Sequence, residues 1–350
     1  MSKHDPLPPI GILQEMREQA FKDCLPINAT VEITMSCNFA CKHCYNFDRS
    51  GPMPKDFKES SLSKSEIINI LKDLIDNGAF FINLTGGEAL LHPNLDEFID
   101  VIVKKQAIAR LKTNAALVDA ERAAHLRDLG LQGADITLYG MSDDSYSKFT
   151  GKNQFHQSRD GIMHLKDAGL DVHVNFIVHK YALSELDTFL NWVRSENISF
   201  SISDEITERY DQSSGAHDVR ISEDELALLL RGPHRQFFDA NNSERALQCS
   251  CARSVVAVSV TGKVYPCIGA PIVSGDLRKQ NFKDIWQSSS VFLQIRNLKE
   301  TDFKNCSSCD VIEFCSRSSG AIYCDTGNYT GCSDRTLKSA QLRALNKIYR

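Results

Sequence analysis

The chain has 350 residues, 45 acidic against 40 basic, a net charge of −5, and 42% hydrophobic and 24% charged side chains. That balance is ordinary for a globular protein. No long basic run recommends nucleic acid as a partner, and no stretch approaches the ~18 uninterrupted apolar residues of a membrane span. The opening MSKHDPLPPIGILQEMREQAFKDC lacks the apolar core and small-residue cleavage site of a secretory signal, so the cytoplasm is the expected compartment. Twelve cysteines in that compartment point to metal rather than disulfides, in a reducing, low-oxygen setting. The length suffices for one large domain and a smaller one.

Residues 1–28 carry Pro6, Pro8 and Pro9 and then a helical pattern from Ile12 to Phe21. They read as a lead-in across the main domain, too short for a separate peptide-recognition domain. Ala29–Met35 alternates and is β-rich, the first strand. Directly after it comes CNFACKHC, with Cys37, Cys41 and Cys44 within eight residues and no fourth cysteine near. A [4Fe–4S] cube needs one ligand per iron, so three thiolates leave one iron open, much as catalytic zinc keeps one position free. A structural zinc site wants a fourth Cys or His, and His43, wedged between Cys41 and Cys44, is poorly placed to complete a tetrahedron.

A strand–helix rhythm then runs to about residue 203. Helical spacing marks Glu66–Asp76, Leu95–Lys104, Asp119–Leu129, Gln157–Ala168 and Leu183–Ser195, with Gly78, Gly130 and Gly169 as C-terminal stops. Strands are expected at Phe80–Thr85, Ala107–Lys112, Gly133–Tyr139, Asp171–Val178 and Ile198–Ser203. Six βα units predict a parallel sheet with helices outside. A barrel and a doubly wound sheet both remain open, since both bind ligands at C-terminal strand ends. At such ends lie Gly86-Gly87-Glu88, whose glycines let the backbone approach a ligand closely, and Asn114, Thr137 and Asn175. His173 and Asn175 alternate with Val172, Val174 and Phe176, so the polar pair faces away from the apolar set. Asp204 and Glu205 end the sixth strand, where a carboxylate can bind substrate or move a proton.

A helix is expected at Glu223–Leu230, and residues 231–248 read as a bridge. From Cys249 the composition changes: eight of the twelve cysteines lie between Cys249 and Cys332. They fall as Cys249, Cys251, Cys267 (in GKVYPC), Cys306, Cys309, Cys315, Cys324 and Cys332. Eight thiolates satisfy either two cubes or two structural zinc ions. Thr336–Tyr349 reads as a closing basic helix.

The CxxxCxxC motif with an aromatic His43 before its last cysteine, followed by TGGEALLHPN at Thr85–Asn94, resembles the radical S-adenosylmethionine (radical SAM) superfamily. The resemblance implies a partial (β/α)6 barrel, open on one side, over residues 29–230. It implies that the open iron chelates the amino and carboxyl groups of SAM, which is cleaved reductively to methionine and a 5′-deoxyadenosyl radical. Glu88 is then expected to meet the methionine ammonium, with His43, Gly86 and Gly87 beside the cofactor. Asn114, Thr137 and Asn175 are expected at the ribose or carboxylate.

Residues 249–335 resemble the SPASM extension of that superfamily, whose pattern is C…GxxxxC, then CxxCx5Cx3C, then C. The pattern departs where Ser319 stands in place of a cysteine, and Cys324 is assigned that role. The resemblance implies two auxiliary [4Fe–4S] clusters, one on Cys249, Cys251, Cys267 and Cys324, the other on Cys306, Cys309, Cys315 and Cys332. With the first triplet this makes three clusters and leaves Cys24 as a plain thiol. It also implies an enzyme that abstracts hydrogen from a peptide or protein side chain, as in ribosomal-peptide maturation. A separate leader-recognition protein and an electron donor such as flavodoxin or ferredoxin are the implied partners. The alternative is a small-molecule substrate such as a haem precursor or a sugar antibiotic intermediate.

Overall fold

Alternation along the strands decides which side of the sheet is covered. In the computed structural model Ala29, Val31, Ile33, Ile82, Leu84, Ala109, Leu111, Ala134, Ile136, Leu138, Val172, Val174 and Phe176 are all nearly or fully buried and share one core with the flanking helices. The intervening positions are polar and point the other way, as period-2 geometry requires. The structure describes residues 11–213, 215–238, 247 and 249–348. Pro6, Pro8, Pro9, most of the 231–248 bridge beyond Phe238 and Tyr349 of the expected last helix lie outside them.

Strands β1 (Asn28–Thr34), β2 (Phe81–Gly86), β3 (Ile108–Thr113), β4 (Gly133–Leu138), β5 (Asp171–Ile177) and β6 (Ser199–Ser203) pair in sequence, all parallel. The sheet does not close, and β6 forms one of its edges. This is the partial (β/α)6 barrel, which leaves the polar face of the strands accessible as a cavity.

The outer helices follow their sequence signals. Lys64–Asp76 opens on a capping box: Ser63 accepts from the Glu66 N–H, and the Glu66 carboxylate accepts from the Ser63 N–H at 2.7 Å. Ile67, Ile70, Leu71 and Leu74 are buried against the sheet, each contributing roughly 1.5–3 kcal/mol. The expected Leu183–Ser195 helix is a short 3-10 turn, Leu183–Glu185, running into α-helix Leu186–Ser195.

Several elements go beyond the sequence reading, and two of them shape the site. Asp143–Thr150 is helical, capped by Ser142 and ended by Gly151 at φ 70°; its DDSYSKFT sequence shows too little apolar periodicity to announce it. The cysteine-rich region also contributes strands β7 (Val255–Val258), β8 (Lys263–Tyr265) and β9 (Gly275–Asp276), and β7 pairs with β1 in parallel. One nine-stranded sheet therefore runs from the barrel into the region holding the later cysteines, in the order β6-β5-β4-β3-β2-β1-β7-β8-β9. No described helix is long and apolar enough to cross a membrane.

Candidate functional site

The cysteine loop leaves β1 and is clamped from two sides. Ala40 and Lys42 donate their N–H groups to the carbonyls of Thr150 and Phe149 at 2.8 and 3.0 Å. Across from these, Gly87 N–H donates to Thr34 and Glu88 N–H to Ser36, both at 2.7 Å. The approach demands glycine: a Cβ on Gly87 would stand 2.3 Å from the Ser36 oxygen, and one on Gly86, at φ +142°, 2.0 Å from that of Thr34. The Gly-Gly pair thus locks the strand-two turn against the root of the cysteine loop.

Within the loop, Cys41 is buried and Cys37 and Cys44 are half-buried. Burial pushes the Cys37 and Cys41 thiols up, and Arg49 pulls both back. Cys37 Sγ accepts from the Phe39 N–H at 3.4 Å, and Cys44 Sγ from Arg49 Nε at 3.2 Å. The three thiols face a cavity of about 450 Å3, also lined by His43, Gly86, Gly87, Asn114, Thr137 and Asn175. These expected residues therefore meet in one place.

Glu88, expected to meet the methionine ammonium, is bonded to Thr113 and Asn114, which line the cavity. It does not line this cavity and has no exposed surface. Oε1 accepts from Thr113 Oγ1 at 2.7 Å and Leu90 N–H at 3.1 Å, and Oε2 from Asn114 N–H at 2.9 Å. Burial raises its carboxyl against these hydrogen bonds. Its work in this structure is to tie β2 to β3 and to aim Asn114, whose amide donates to Asn38 in the cysteine loop at 2.8 Å.

His43 lies 4.7 Å from the Phe149 ring and 5.2 Å from that of Tyr139, and Phe149 stacks on His179 at 3.8 Å. Burial, and then the charges of His179 and Arg209, hold the His43 imidazole down at about 3, so it is neutral at pH 7. Its buried Nδ1 has no hydrogen-bond partner among the described residues. Asn175 accepts from Ser201 Oγ at 2.5 Å. His173 bonds Ser199 at 2.8 Å rather than facing the cavity, and Asp204 is tied to Arg335 at 3.0 Å. Glu205 does reach the cavity, its carboxyl raised by burial and then by Asp204 and Asp325.

Several lining residues were not read from the sequence: Tyr45, Arg49, Thr85, Lys112, Asp135, Tyr139 and Ile268. Lys112 and Asp135 sit two residues before Asn114 and Thr137 on the same inward faces, so the alternation carried the signal for both. Arg49 and Ile268 lie in loops with no periodicity to announce them.

The eight later thiols fall into two groups. Cys251 and Cys267 lie 2.7 Å apart, sulfur to sulfur. Hydrogen bonding with Cys251 draws the Cys249 thiol down to about 6, and Tyr329 also lies 3.2 Å from that sulfur. Cys324 approaches Gly269 O at 3.8 Å; burial, then Asp325 and then Cys267 raise its thiol to about 12. Cys315, pushed up to about 11 by burial, feels Cys332, Cys306 and Cys309, and Cys332 feels Cys306 and Cys309. Among the described residues no three such side chains converge tightly enough for a single ion. Three, four and four thiols are the donor numbers that one open-cornered and two fully ligated [4Fe–4S] cubes ask for.

Residues 31–193 match the radical SAM superfamily and residues 249–310 match SPASM, an iron-sulfur cluster-binding domain. The AdoMet-dependent heme synthase of Methanosarcina barkeri is 24% identical over 328 residues, covering 85% of this chain and 92% of that protein. The mycofactocin maturase MftC of Mycolicibacterium smegmatis is 24% identical over 309 residues, covering 83% of this chain and 77% of that one. Among solved structures, Streptococcus suis SuiB bound to precursor peptide SuiA shares the fold, with a TM-score of 0.66 and 15% identity over 96% of this chain and 84% of that chain. The chain is a radical SAM enzyme of the SPASM type, and its cofactors are SAM and [4Fe–4S] clusters.

Proposed function

We propose that this radical SAM enzyme abstracts hydrogen from a side chain of a peptide or protein, as ribosomal-peptide maturases do. Cys37, Cys41 and Cys44 would hold the cluster that binds SAM. Cys249, Cys251, Cys267 and Cys324 would hold one auxiliary cluster, and Cys306, Cys309, Cys315 and Cys332 the other. A reduced cluster held there would supply the electron for cleavage of SAM to methionine and a 5′-deoxyadenosyl radical. The protein's part is to position, to exclude water and to guide charge. Gly86 and Gly87 give the methionine end a close backbone wall, His43 offers a neutral ring face, and Asn114, Thr137 and Asn175 offer hydrogen bonds to ribose and carboxylate.

One observation carries the choice of a peptide. The SAM-side cavity is bounded by Cys37, Cys41 and Cys44 and by Ile268, the neighbour of Cys267. The segment Ser203–Thr207 lines both this cavity and a second polar one of about 220 Å3 beyond β6, with Ser203, Glu205, Ile206 and Thr207 common to the two. An extended chain crossing that segment would present one side chain between the Cys37/Cys41/Cys44 triplet and Ile268, and a cluster held by the neighbouring Cys267 would offer an acceptor for the electron that a substrate radical gives up. The maturase relative and the likeness to a peptide-bound neighbour support the same reading. A separate leader-recognition protein and a flavodoxin- or ferredoxin-like donor belong to this proposal.

The heme synthase relatives favour a second reading, a tetrapyrrole side chain as substrate. Anoxic incubation of the reduced enzyme with SAM and candidate substrates separates the two. A mass change in a short peptide encoded beside the enzyme supports the first. Conversion of a haem precursor, with peptides untouched, overturns it.

A further inference from the structure

We propose that Arg49 raises the reduction potential of the cluster held by Cys37, Cys41 and Cys44, by placing a fixed positive charge and a hydrogen bond on the Cys44 sulfur. The inference rests on the reading that this triplet holds the SAM-binding cluster.

The guanidinium is fixed on three sides. Nε donates to Cys44 Sγ at 3.2 Å, Nη1 donates to the Met35 carbonyl at 2.7 Å, and the group lies 4.4 Å over the Phe47 ring. Phe47 is itself buried in a satellite core with Met35 and Val260, flanked by Met53 and Phe57. Arginine alone among cations supplies this planar fork together with a face that stacks on an aromatic ring. The cation is therefore built into the loop, and it borders the SAM-side cavity. Its field also reaches Cys37 and Cys41.

Reduction adds one negative charge to a cluster already made anionic by its thiolates. A permanent cation at hydrogen-bond distance from one ligand sulfur favours the more negative state, and hydrogen bonds to the sulfurs are among the levers that set cluster potentials. The half-buried setting screens this field less than bulk water would.

The test is an EPR-monitored redox titration of the anoxic, reconstituted full chain without SAM, where a role in gripping the nucleotide does not register. The auxiliary signals are subtracted with the Cys37→Ala/Cys41→Ala/Cys44→Ala variant. In Arg49→Gln the equilibrium constant for reduction is expected to fall at least tenfold, a 59 mV negative shift for a one-electron couple. Arg49→Lys, which keeps the charge, is expected to stay closer to wild type. Loss of the cluster in Arg49→Gln but not in Arg49→Lys supports the same charge pairing. An unshifted midpoint in a cluster-bearing Arg49→Gln overturns the inference and leaves the proposed function standing. Equal shifts in the two variants, or loss of the cluster from both, overturn the role of charge. A wild-type protein with no cluster on the triplet overturns both readings.

Discussion

The Tyr210 ring lies 5.1 Å from the Tyr45 ring, and the Tyr210 N–H donates to the Tyr45 carbonyl at 2.8 Å. Next to it, the buried Arg209 donates to the Lys42 carbonyl at 2.7 Å. The segment after β6 is thus strapped to the cysteine loop that follows β1, across the open mouth of the barrel. The shape of the thiol triplet depends on chain more than 150 residues away.

Removing that strap should loosen the loop selectively. Arg209→Met is expected to lower stability by about 1.5–3 kcal/mol, the range for a hydrogen bond to a charged group. It should also reduce iron bound at Cys37, Cys41 and Cys44 while auxiliary iron stays. Thermal melts and iron counts of the anoxic protein check both, with the triple cysteine variant as the auxiliary-only reference.

The Gly-Gly turn tolerates nothing larger. In Gly87→Ala the new methyl would meet the Ser36 and Met35 carbonyl oxygens at 2.3 and 2.6 Å, and both belong to the main chain, which cannot swing aside. The variant is expected to fold poorly or to lose SAM binding. Gly169→Ala is the control, because a Cβ there meets nothing within 4 Å and only the positive φ of 86° is strained. It should retain SAM binding, measured by equilibrium dialysis.

Glu32 gives the fold a pH dependence of known sign. It is buried on β1, accepts from the Tyr45 hydroxyl at 3.1 Å, and burial lifts its carboxyl from 4.5 to about 6. The folded state holds this proton more tightly than the unfolded chain. Its contribution therefore weakens as pH rises from about 4.5 through 6 and stays weaker above. The shift corresponds to about 2 kcal/mol. Denaturant melts of Glu32→Gln and wild type across pH 4.5 to 7 should show the difference moving in the variant's favour by about that amount. A constant difference would contradict the assignment.

Much of this was legible in the chain because period-2 and period-3.6 patterns are written in consecutive residues. All six barrel strands fall within a residue of their expected limits, and Leu95–Lys104 coincides with the helix found. The short VVAV run of β7 carried no such sign: its partner is β1, more than 220 residues earlier, and four apolar residues do not announce a parallel edge. Glu88 shows a second limit. A motif names a residue that matters, but only the fold reveals that its oxygens accept from Thr113, Asn114 and Leu90. Arg49, five residues beyond Cys44, became visible only when the loop turned it back onto the sulfur.

The most direct measurement of the central claim is the EPR spectrum of the anoxic, chemically reduced enzyme before and after SAM is added. A cube with one open iron on Cys37, Cys41 and Cys44 predicts a SAM-dependent change in the signal, absent from the Cys37→Ala/Cys41→Ala/Cys44→Ala variant, which keeps its auxiliary iron and makes no 5′-deoxyadenosine. A wild-type spectrum that SAM leaves unchanged, or 5′-deoxyadenosine still formed by that variant, would contradict it.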